Sequence, residues 1–265
     1  MAWDPTLYLK FGDERLRPGF ELLARIGELP PGPLVELGCG TGVHARAIAA
    51  RWPERRLTAI DRSREMLAKA AAEPSPIRWL EADIASWSAP EPAALIFSNA
   101  TLQWLGGHAQ LFPHLMRQLA PGGVLAVQMP RNFDQPSHAL MRETAREGSW
   151  SAKLVPVVGG ATVLREEPVA PPEWYYDLLA PQAPDGLDLW ETDYLHVLAG
   201  EDPVLQWVSA TALRPVIEAL DGSERADFLA AYGAKLRQAY PRRADGKTLL
   251  PFRRLFLVVR ARSGA

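Results

Sequence analysis

The chain has 265 residues, of which 48% are apolar and 23% charged, and its formal net charge is −2. This composition predicts a full hydrophobic core, and so small a net charge gives no general attraction to nucleic acid or to an anionic membrane. No apolar stretch is long enough to cross a bilayer, and the one cysteine, Cys39, cannot form an internal disulfide bond. The N-terminal residues also lack the basic and then apolar run of a signal peptide, so we expect a soluble cytoplasmic protein.

The first predicted strand leads into a glycine-rich turn. A short helix is expected from Pro18 to Gly27, residues 30–33 (Pro-Pro-Gly-Pro) break the chain, and Leu34 to Leu37 form a buried strand. Glycines then stand at every second position, at 38, 40 and 42, before a helix that begins at Val43. Glycine lets a ligand approach the main chain, and a helix start offers free N–H groups. We therefore expect a side chain at Gly38 or Gly40 to fill ligand space.

Polar residues follow the next three predicted strands. The strand from Arg56 ends in Asp61, about 20 positions beyond the turn, where a carboxylate is placed to accept hydrogen bonds from ribose hydroxyls. After the strand at 77–80, Asp83 can accept from an exocyclic amine while Ile84 packs on a flat purine. The strand at 94–99 ends in Ser98-Asn99, and a fifth strand follows Pro121-Gly122-Gly123. Because ligands bind at the carboxyl edge of open parallel sheets, these strand ends predict one nucleotide site.

This ordered set resembles the class I S-adenosylmethionine-dependent methyltransferases. The third glycine follows the second by two positions, whereas the dinucleotide-binding fingerprint has three. The resemblance implies a Rossmann-like α/β fold: a seven-stranded, mostly parallel sheet with helices on both faces and an inserted or C-terminal helical cap. It also implies S-adenosylmethionine as cofactor, S-adenosylhomocysteine as product and no metal. The cofactor residues it implies are Glu36, Gly38, Cys39, Gly40, Asp61, Arg62, Met66, Asp83, Ile84, Ser98, Asn99 and Trp104.

Two of these residues carry a more specific expectation. Cys39 is expected to contribute its backbone amide rather than its thiol. Trp104 is expected to form a wall of the cofactor or methyl-transfer site, with a place in the plain core as the alternative. Ser63 is a good N-cap for the helix that follows, and Met66 in its first turns could lean toward the adenosine.

The expected organisation is a single methyltransferase domain over residues 1–265. It comprises an N-terminal lid region at 1–29, a cofactor-binding core at 30–130, an inserted cap at 131–186 and closing substrate-side elements at 187–265. Within the cap, the many prolines of 155–184 predict an irregular excursion. The last section is expected to contain a strand at 187–198, helices at 203–220 and 223–240, and a closing strand at 255–261.

Segments along nearly the whole chain resemble the trans-aconitate 2-methyltransferase family. They include residues 3–8, 98–104, 128–130, 136–138, 141–143, 190–194, 213–215 and 249–256. Two places depart from the family pattern: Arg131 stands where an acidic residue is expected, and 209–212 (Ser-Ala-Thr-Ala) lacks the expected glycine. Both departures fall in the substrate half, so they bear on the acceptor rather than on the chemistry.

The chemistry that this family resemblance implies needs no acid–base pair. A carboxylate has a pKa near ~4 and is already a nucleophile at neutral pH, so the enzyme has to exclude water and align the reacting atoms. The Asp/Asn-Pro-Pro-aromatic sequence that is typical of enzymes methylating base or glutamine nitrogen is absent, because 98–101 is Ser-Asn-Ala-Thr. We therefore expect methylation of a carboxylate on a small anionic acid.

An acceptor with several carboxylates favours arginine as its partner. Arg253 and Arg254 are the main candidates among nine basic residues from Lys235 onward, because neighbouring strand residues point to opposite faces and one of the two could face the acceptor. The full set of substrate candidates is Tyr8, Arg17, His138, Arg142, Trp190, Tyr194, Arg253 and Arg254.

Each of the other substrate candidates has a structural alternative. Tyr8 and Arg17 could form a lid or simply pack on the sheet. His138 and Arg142, one helical turn apart, could share an anion or form a surface pair. Trp190 and Tyr194 share a strand face and could line a pocket or the core. His44, His114 and His196 have no metal-ligand spacing, so we expect ordinary hydrogen-bonded histidines.

The favoured hypothesis is a cytoplasmic carboxyl methyltransferase that forms a monoester of trans-aconitate or a similar polycarboxylate. The alternatives are another small-molecule O- or N-methyltransferase and a non-catalytic protein that binds S-adenosylmethionine. No nucleic-acid or membrane partner is expected, and the sequence leaves a monomer and a homodimer equally open.

Overall fold

The computed structural model describes residues 12–160, 168–184 and 186–263. Within them the chain forms two compact units. One unit, here called the sheet unit, consists of residues 15–129, 170–184, 186–191 and 255–263. The other, here called the helical unit, consists of residues 12–14, 130–160, 168–169 and 192–254.

Seven strands form one sheet, in the order β3-β2-β1-β4-β5-β7-β6. The strands are β1 (Leu34–Leu37), β2 (Leu57–Asp61), β3 (Arg78–Glu81), β4 (Ala93–Asn99), β5 (Leu119–Pro130), β6 (Leu187–Leu198) and β7 (Thr248–Arg260). The first five strands pair in parallel. This confirms the predicted seven-stranded, mostly parallel sheet.

The last two strands close the sheet in antiparallel register. Between β5 and β7, the Gly122 N–H donates to the carbonyl of Arg262 (3.1 Å) and the Ala261 N–H donates to that of Gly123 (2.8 Å). Between β6 and β7, the Arg260 N–H donates to the carbonyl of Gly186 (2.9 Å). Arg253 of β7 also contacts Asp193 of β6, so in both pairs one residue number rises as its partner's falls. β7 therefore runs antiparallel to its two neighbours.

The sheet unit is built around the central strands β1 and β4. Every residue of β1, and all of β4 except Asn99, is buried, as expected for parallel strands covered on both faces. The helices of this unit are α1 (Gly12–Arg25, apart from its first turn), α2 (Val43–Arg51), α3 (Arg64–Ala70), α4 (His108–Arg117) and α7 (Pro172–Leu179). The Ser63 hydroxyl accepts from the Met66 N–H, which confirms the predicted N-cap of α3.

The helical unit contains α5 (Pro136–Arg146), α6 (Ser151–Gly160), α8 (Pro203–Ser209), α9 (Arg214–Ala219) and α10 (Gly222–Ala239). Two tyrosines, one in α10 and one at its C-terminal end, form hydrogen bonds with the start of α5. The Tyr232 hydroxyl donates to the carbonyl of Ser137, and the Ser137 N–H donates to the hydroxyl of Tyr240 (2.9 Å). Lys235 of α10 also pairs with Glu143 (2.6 Å) and Glu147 (2.7 Å), so α5 and α10 are joined at both ends of their contact.

Several predicted elements differ from the structure, mostly at prolines. Residues 155–184 were predicted to form an irregular excursion or cap. The irregular alternative is wrong for the described parts that hold the end of α6 and all of α7, which has proline at its first position. The predicted helix at 203–220 is two helices, and the second begins at Arg214-Pro215 for the same reason. The closing strand begins at Thr248 rather than at 255. The first helix ends at Arg25 and has Pro18 inside it.

The three glycines of the turn after β1 have different neighbours. A Cβ on Gly38 would lie 2.2 Å from the Thr101 side chain, and one on Gly42 would lie 2.5 Å from the Trp79 ring. A Cβ on Gly40 would meet no atom within 4 Å among the described residues. The expectation that Gly38 leaves ligand space is therefore wrong, because Thr101 fills it. Gly40 alone leaves space open.

We predict that Gly38→Ala destabilises the fold more than Gly40→Ala. Both glycines have positive φ, 75° and 54°, so both variants carry a backbone cost of about 1 kcal/mol. Only Gly38→Ala also overlaps Thr101, which should add roughly 1–3 kcal/mol. Urea denaturation of the two variants measures the difference. Equal losses of stability would contradict the assignment of this space to Thr101.

Candidate functional site

The carboxyl edge of the sheet unit gathers hydrogen-bond acceptors. Glu36 lies at the end of β1, Asp61 at the end of β2, Asp83 just beyond β3 and Asn99 at the end of β4. Parallel pairing of these strands brings their ends to one edge. The edge therefore presents three carboxylates and an amide, a set that suits a ligand rich in N–H and O–H donors or positive charge.

Asp61 fixes the glycine turn through its carboxylate. Oδ2 accepts from the Gly40 N–H and Oδ1 accepts from the Ser63 N–H, both at 2.9 Å. These two bonds tie the turn after β1 to the start of α3 and orient the carboxylate. Each carboxylate oxygen has a second lone pair, so Asp61 can still accept from ligand hydroxyls.

Glu36 is a buried carboxyl group at this edge. Burial, and secondarily the charge of Asp61, raises its pKa to about 8, while the guanidinium of Arg46 opposes the shift. Its Oε2 atom has no hydrogen-bond partner among the described residues. The same holds for Oδ1 of Asn99 at the neighbouring strand end. Unpartnered buried acceptors of this kind fit a site that a ligand completes.

The segment after β4 is held in a strained conformation. Ala100 has a φ of 52°, which is rare for a residue with a Cβ, and its N–H donates to the carbonyl of Gln128 (2.9 Å). The Thr101 hydroxyl donates toward the carbonyls of Gly38 (3.3 Å) and Asn99 (3.1 Å). Gln103 Nε2 donates to the carbonyl of Ala100 (2.7 Å). Such strain persists where the surroundings enforce it, and it is concentrated at functional sites.

A histidine–tyrosine pair fixes the turn that follows. His108 contacts the carbonyl of Leu102 through Nε2 (3.0 Å) and the hydroxyl of Tyr175 through Nδ1 (2.6 Å). Burial lowers the pKa of His108, so Nε2 donates, Nδ1 accepts and the ring is neutral. The anchored turn carries Trp104, whose side chain is 40% exposed. The core alternative for Trp104 is therefore wrong, and its place as a site wall stays a prediction.

Two predicted cofactor residues use their polar groups inside the protein. The Cys39 N–H donates to the carbonyl of Ile60 (2.9 Å), so the expectation that it serves a ligand is wrong. Burial raises the pKa of the Cys39 thiol far above its usual range, which keeps it protonated. The Ser98 hydroxyl, fully buried, donates to the carbonyl of Leu37 (3.0 Å), which makes its side chain a link between β4 and β1.

The remaining cofactor candidates lie around the same edge. Asp83 is exposed and its Oδ1 accepts from the Ala85 N–H (2.9 Å), while the neighbouring Ile84 is buried. Met66 is half-buried in the first turn of α3, and Arg62 is exposed just before it. Their contacts with a cofactor stay predictions.

In the helical unit, the two candidate arginines of β7 face opposite ways. Arg253 is partly exposed and its Nε donates to Oδ1 of Asp193 (3.0 Å). Arg254 is 3% exposed, and its guanidinium carbon lies 4.6 Å from the ring centroid of Phe252 and 5.8 Å from that of Tyr194. Aromatic rings stabilise a guanidinium that lies over them. Arg254 is thus the buried arginine of the pair.

His138 and Arg142 are both buried on α5, so the surface-pair alternative is wrong. Burial, and secondarily the charge of Arg142, lowers the pKa of His138 to about 4, against an opposing effect of Asp134. His138 is therefore neutral near pH 7 and Nδ1 contacts the Ser137 hydroxyl (3.2 Å). If the pair faces an anion, Arg142 supplies the charge.

The other substrate candidates are dispersed. Tyr8 lies outside the described residues. Arg17 pairs with Glu21 (2.6 Å) on an exposed part of α1. Trp190, in the sheet unit, stacks on Phe256 at 4.8 Å and has Arg25 over its ring. Tyr194, in the helical unit, is buried beside His196.

Asn132 has an unusual environment that its sequence pattern did not predict. Asn132 is 1% exposed, yet neither Oδ1 nor Nδ2 has a hydrogen-bond partner among the described residues. In the sequence it stands in an Arg-Asn-Phe-Asp stretch that resembles an ordinary turn. The only signal that could have pointed to it is its place directly after a buried strand of the sheet.

In the described part of the chain, no group of three or more His, Cys, Asp or Glu side chains could hold a metal ion. None of the helices in that part is both long and apolar enough to span a membrane. His44 and His114 each contact a backbone carbonyl at 3.1 Å, which confirms their expected role as hydrogen-bonded histidines.

We predict that Glu36→Gln increases stability in a pH-dependent way. The folded-state pKa of Glu36, about 8, lies above its ordinary value of 4.5, so the wild type loses stability as pH rises between these values. The variant lacks this loss. Its stability relative to the wild type should therefore grow by up to about 5 kcal/mol between about pH 5 and about pH 9.

Denaturant unfolding without ligand at both pH values measures this change. Glu81→Gln is the matched control, because Glu81 is exposed and paired with Arg64 (2.6 Å). Its stability relative to the wild type should stay nearly constant. A constant difference for Glu36→Gln as well would show that Glu36 does not titrate in this range.

Comparison with known proteins identifies the family of the chain. Residues 34–123 match the family model described as a methyltransferase domain. The chain is 47% identical to the trans-aconitate 2-methyltransferase of Azoarcus sp., over 97% of this chain and 98% of that protein. It is 46% identical to the protein of the same name from Streptomyces avermitilis, over 97% of this chain and 96% of the other.

Among solved structures, the chain resembles the YcgJ protein from Bacillus subtilis. The TM-score is 0.58 at 11% identity, and the match covers 94% of this chain and 100% of the other. This likeness concerns the fold. The sequence relatives go further and confirm the predicted family: the chain belongs to the trans-aconitate 2-methyltransferase family of S-adenosylmethionine-dependent methyltransferases.

Proposed function

We propose that the protein methylates one carboxylate of trans-aconitate or of a closely similar small polycarboxylate. The observation that supports this most directly is the buried Arg254 of the helical unit, with aromatic rings on its guanidinium. The names of the sequence relatives support the choice of acceptor. The finer expectation of a cytoplasmic location belongs to the same proposal, since trans-aconitate is expected as a by-product of the citrate cycle.

The acceptor-rich edge of the sheet unit fits the cofactor of this family. When bound, S-adenosylmethionine supplies a methyl group activated by a positively charged sulfur. Asp61 would hold the ribose hydroxyls, and the open space at Gly40 would let the cofactor lie against the backbone. Glu36 and Asn99 offer acceptor atoms that are otherwise unpartnered among the described residues. Asp83 and Ile84 would meet the adenine.

The acceptor is held, in this proposal, by arginine in the helical unit. A guanidinium can donate two parallel bonds to a carboxylate, and burial strengthens this interaction by excluding water. Arg254 and Arg142 are the two buried arginines of this unit, and Tyr194 lies against the first of them. A neutral His138 can add a hydrogen bond but no charge.

The reaction needs positioning rather than a base. The acceptor carboxylate is ionised at neutral pH, and holding it in line with the methyl group can lower the barrier by about 7–11 kcal/mol. Burial lowers the pKa values of His44, His108 and His138, so none of these three gains a proton above pH 7. No proton has to leave the acceptor for the ester to form.

We predict that Arg254→Gln raises KM for trans-aconitate by about 10-fold or more. The lost charged hydrogen bonds are worth roughly 1.5–3 kcal/mol, and cofactor affinity should not change. Arg253→Gln is the matched control, because it removes the same charge at the neighbouring, partly exposed position and should change KM by less than about 2-fold. Steady-state kinetics and calorimetric titration of the cofactor measure both effects.

A second variant at Arg254 keeps the prediction testable if Arg254→Gln does not fold. Arg254→Lys keeps the charge but loses the planar two-bond geometry, so its KM should lie between those of the wild type and Arg254→Gln. Folded Arg254 variants with unchanged KM would overturn the assignment of Arg254 to the acceptor.

We also predict that kcat at saturating cofactor and acceptor is nearly constant from about pH 6 to about pH 9. The acceptor carboxylates stay ionised over this range, and the mechanism uses no titrating base. The measurement is a pH profile of kcat with trans-aconitate. A rate that rises with a pKa near 7 would instead indicate a histidine base and an acceptor hydroxyl.

A further inference from the structure

We propose that Asn132 determines acceptor specificity, because its side-chain amide binds a carboxylate of the acceptor other than the one that is methylated. This inference rests on the proposed function, since it places a second recognition group in the same acceptor site. It concerns only residues of the helical unit. The class of ligand is a small acid with at least two carboxylates, of which trans-aconitate and tricarballylate are examples.

The Asn132 side chain is a buried amide that lacks hydrogen-bond partners among the described residues. Asn132 is 1% exposed, and among the described residues nothing pairs with Oδ1 or Nδ2. A buried amide that lacks hydrogen bonds destabilises the folded state, so such groups are rare in native proteins and call for an explanation. A ligand that supplies the missing bonds is such an explanation.

Asn132 and Arg254 each follow one residue of a hydrogen-bonded pair, Arg131 and Arg253. The Arg131 N–H donates to the carbonyl of Arg253 (2.9 Å), so the antiparallel ladder continues to this pair. β5 itself ends at Pro130, and we infer the face of Asn132 by continuing the strand alternation one residue beyond this bond. The burial agrees, because Asn132 and Arg254 are buried whereas Arg131 and Arg253 are partly exposed. Asn132 and Arg254 are diagonal cross-strand neighbours, within reach of long side chains. One ligand can therefore contact both.

Aromatic side chains lie near Asn132 and Arg254. Phe133, next to Asn132, is buried with its ring 5.1 Å from the ring of His138, and the guanidinium carbon of Arg254 lies over the rings of Phe252 and Tyr194. Asn132 thus adds a neutral donor to an apolar surface that holds a buried cation. Such a surface suits a carboxylate attached to a short carbon chain.

The chemistry of the amide limits what it can bind. Nδ2 donates to a carboxylate oxygen, and Oδ1 can accept from a water molecule that enters with the acceptor. Arg254 supplies charge, whereas Asn132 supplies direction without charge. A monocarboxylic acid has no second carboxylate for the Asn132 amide, which would stay unpaired. Asn132 therefore favours acids with two or more carboxylates, since an unpaired buried group weakens binding.

The test uses Asn132→Leu and Asn132→Asp in the full-length protein. Leucine has a similar volume and removes an amide without partners, so the ligand-free variant should melt at least about 2–4 °C higher than the wild type. KM for trans-aconitate should rise at least about 10-fold while kcat changes little, because both ground state and transition state lose the same contact. Aspartate should raise KM by about 100-fold, since it repels the carboxylate. Cofactor affinity should not change in either variant.

A binding measurement separates this inference from the proposed function. Trans-aconitate and tricarballylate, added without cofactor, should raise the melting temperature of the wild type but not that of Asn132→Asp. Wild-type turnover of trans-aconitate together with unchanged KM in both variants would overturn the role of Asn132 alone. If the wild type shows these melting shifts but does not turn over trans-aconitate, the proposed function alone would be overturned. A lower melting temperature of Asn132→Leu, or no shift of the wild type with either acid, would overturn the role of Asn132.

Discussion

The carboxylate of Asp61 is the constraint on which the cofactor edge depends. Its two oxygens accept from the N–H groups of Gly40 and Ser63, so one side chain fixes both the glycine turn after β1 and the start of α3. The positive φ of Gly40 turns its N–H toward β2 and leaves open space on the Cβ side. The geometry of the turn therefore follows from a single strand-end acid that is also placed to bind ribose.

That acid imposes a cost on its neighbour. Glu36 is buried, and this burial, with the charge of Asp61 as a secondary cause, raises its pKa. Asn132 is a buried amide, and the Oδ1 atom of the partly exposed Asn99 is buried as well. No described residue pairs with these atoms, so they carry a comparable cost. Proteins retain such groups where function requires them, because stability alone would remove them. The distribution of these groups thus agrees with ligand sites in both units.

The sequence predicted the parts of the protein that depend on local pattern. The glycine turn, the strand-end acids and the Ser63 cap follow from spacing within about 20 residues, whereas the seven-stranded sheet was implied by the family resemblance. Prolines misled the prediction, since Pro172 and Pro215 begin helices rather than interrupt the chain. The use of the Cys39 amide could not be predicted, because its partner, the carbonyl of Ile60, lies on another strand whose register is set by the whole sheet.

Local sequence pattern was also insufficient to predict which residues of the helical unit are buried near the proposed acceptor site. Strand alternation says that Arg253 and Arg254 point to opposite faces, but it cannot say which face is buried. Asp193 decides this: it stands opposite Arg253 on β6 and pairs with it at 3.0 Å, so Arg254 turns to the aromatic side with Phe252 and Tyr194. The same alternation, carried across the bond from Arg131 to Arg253, puts Asn132 on the face of Arg254. The register between non-adjacent strands, rather than any local motif, thus selects which polar side chains can meet an acceptor.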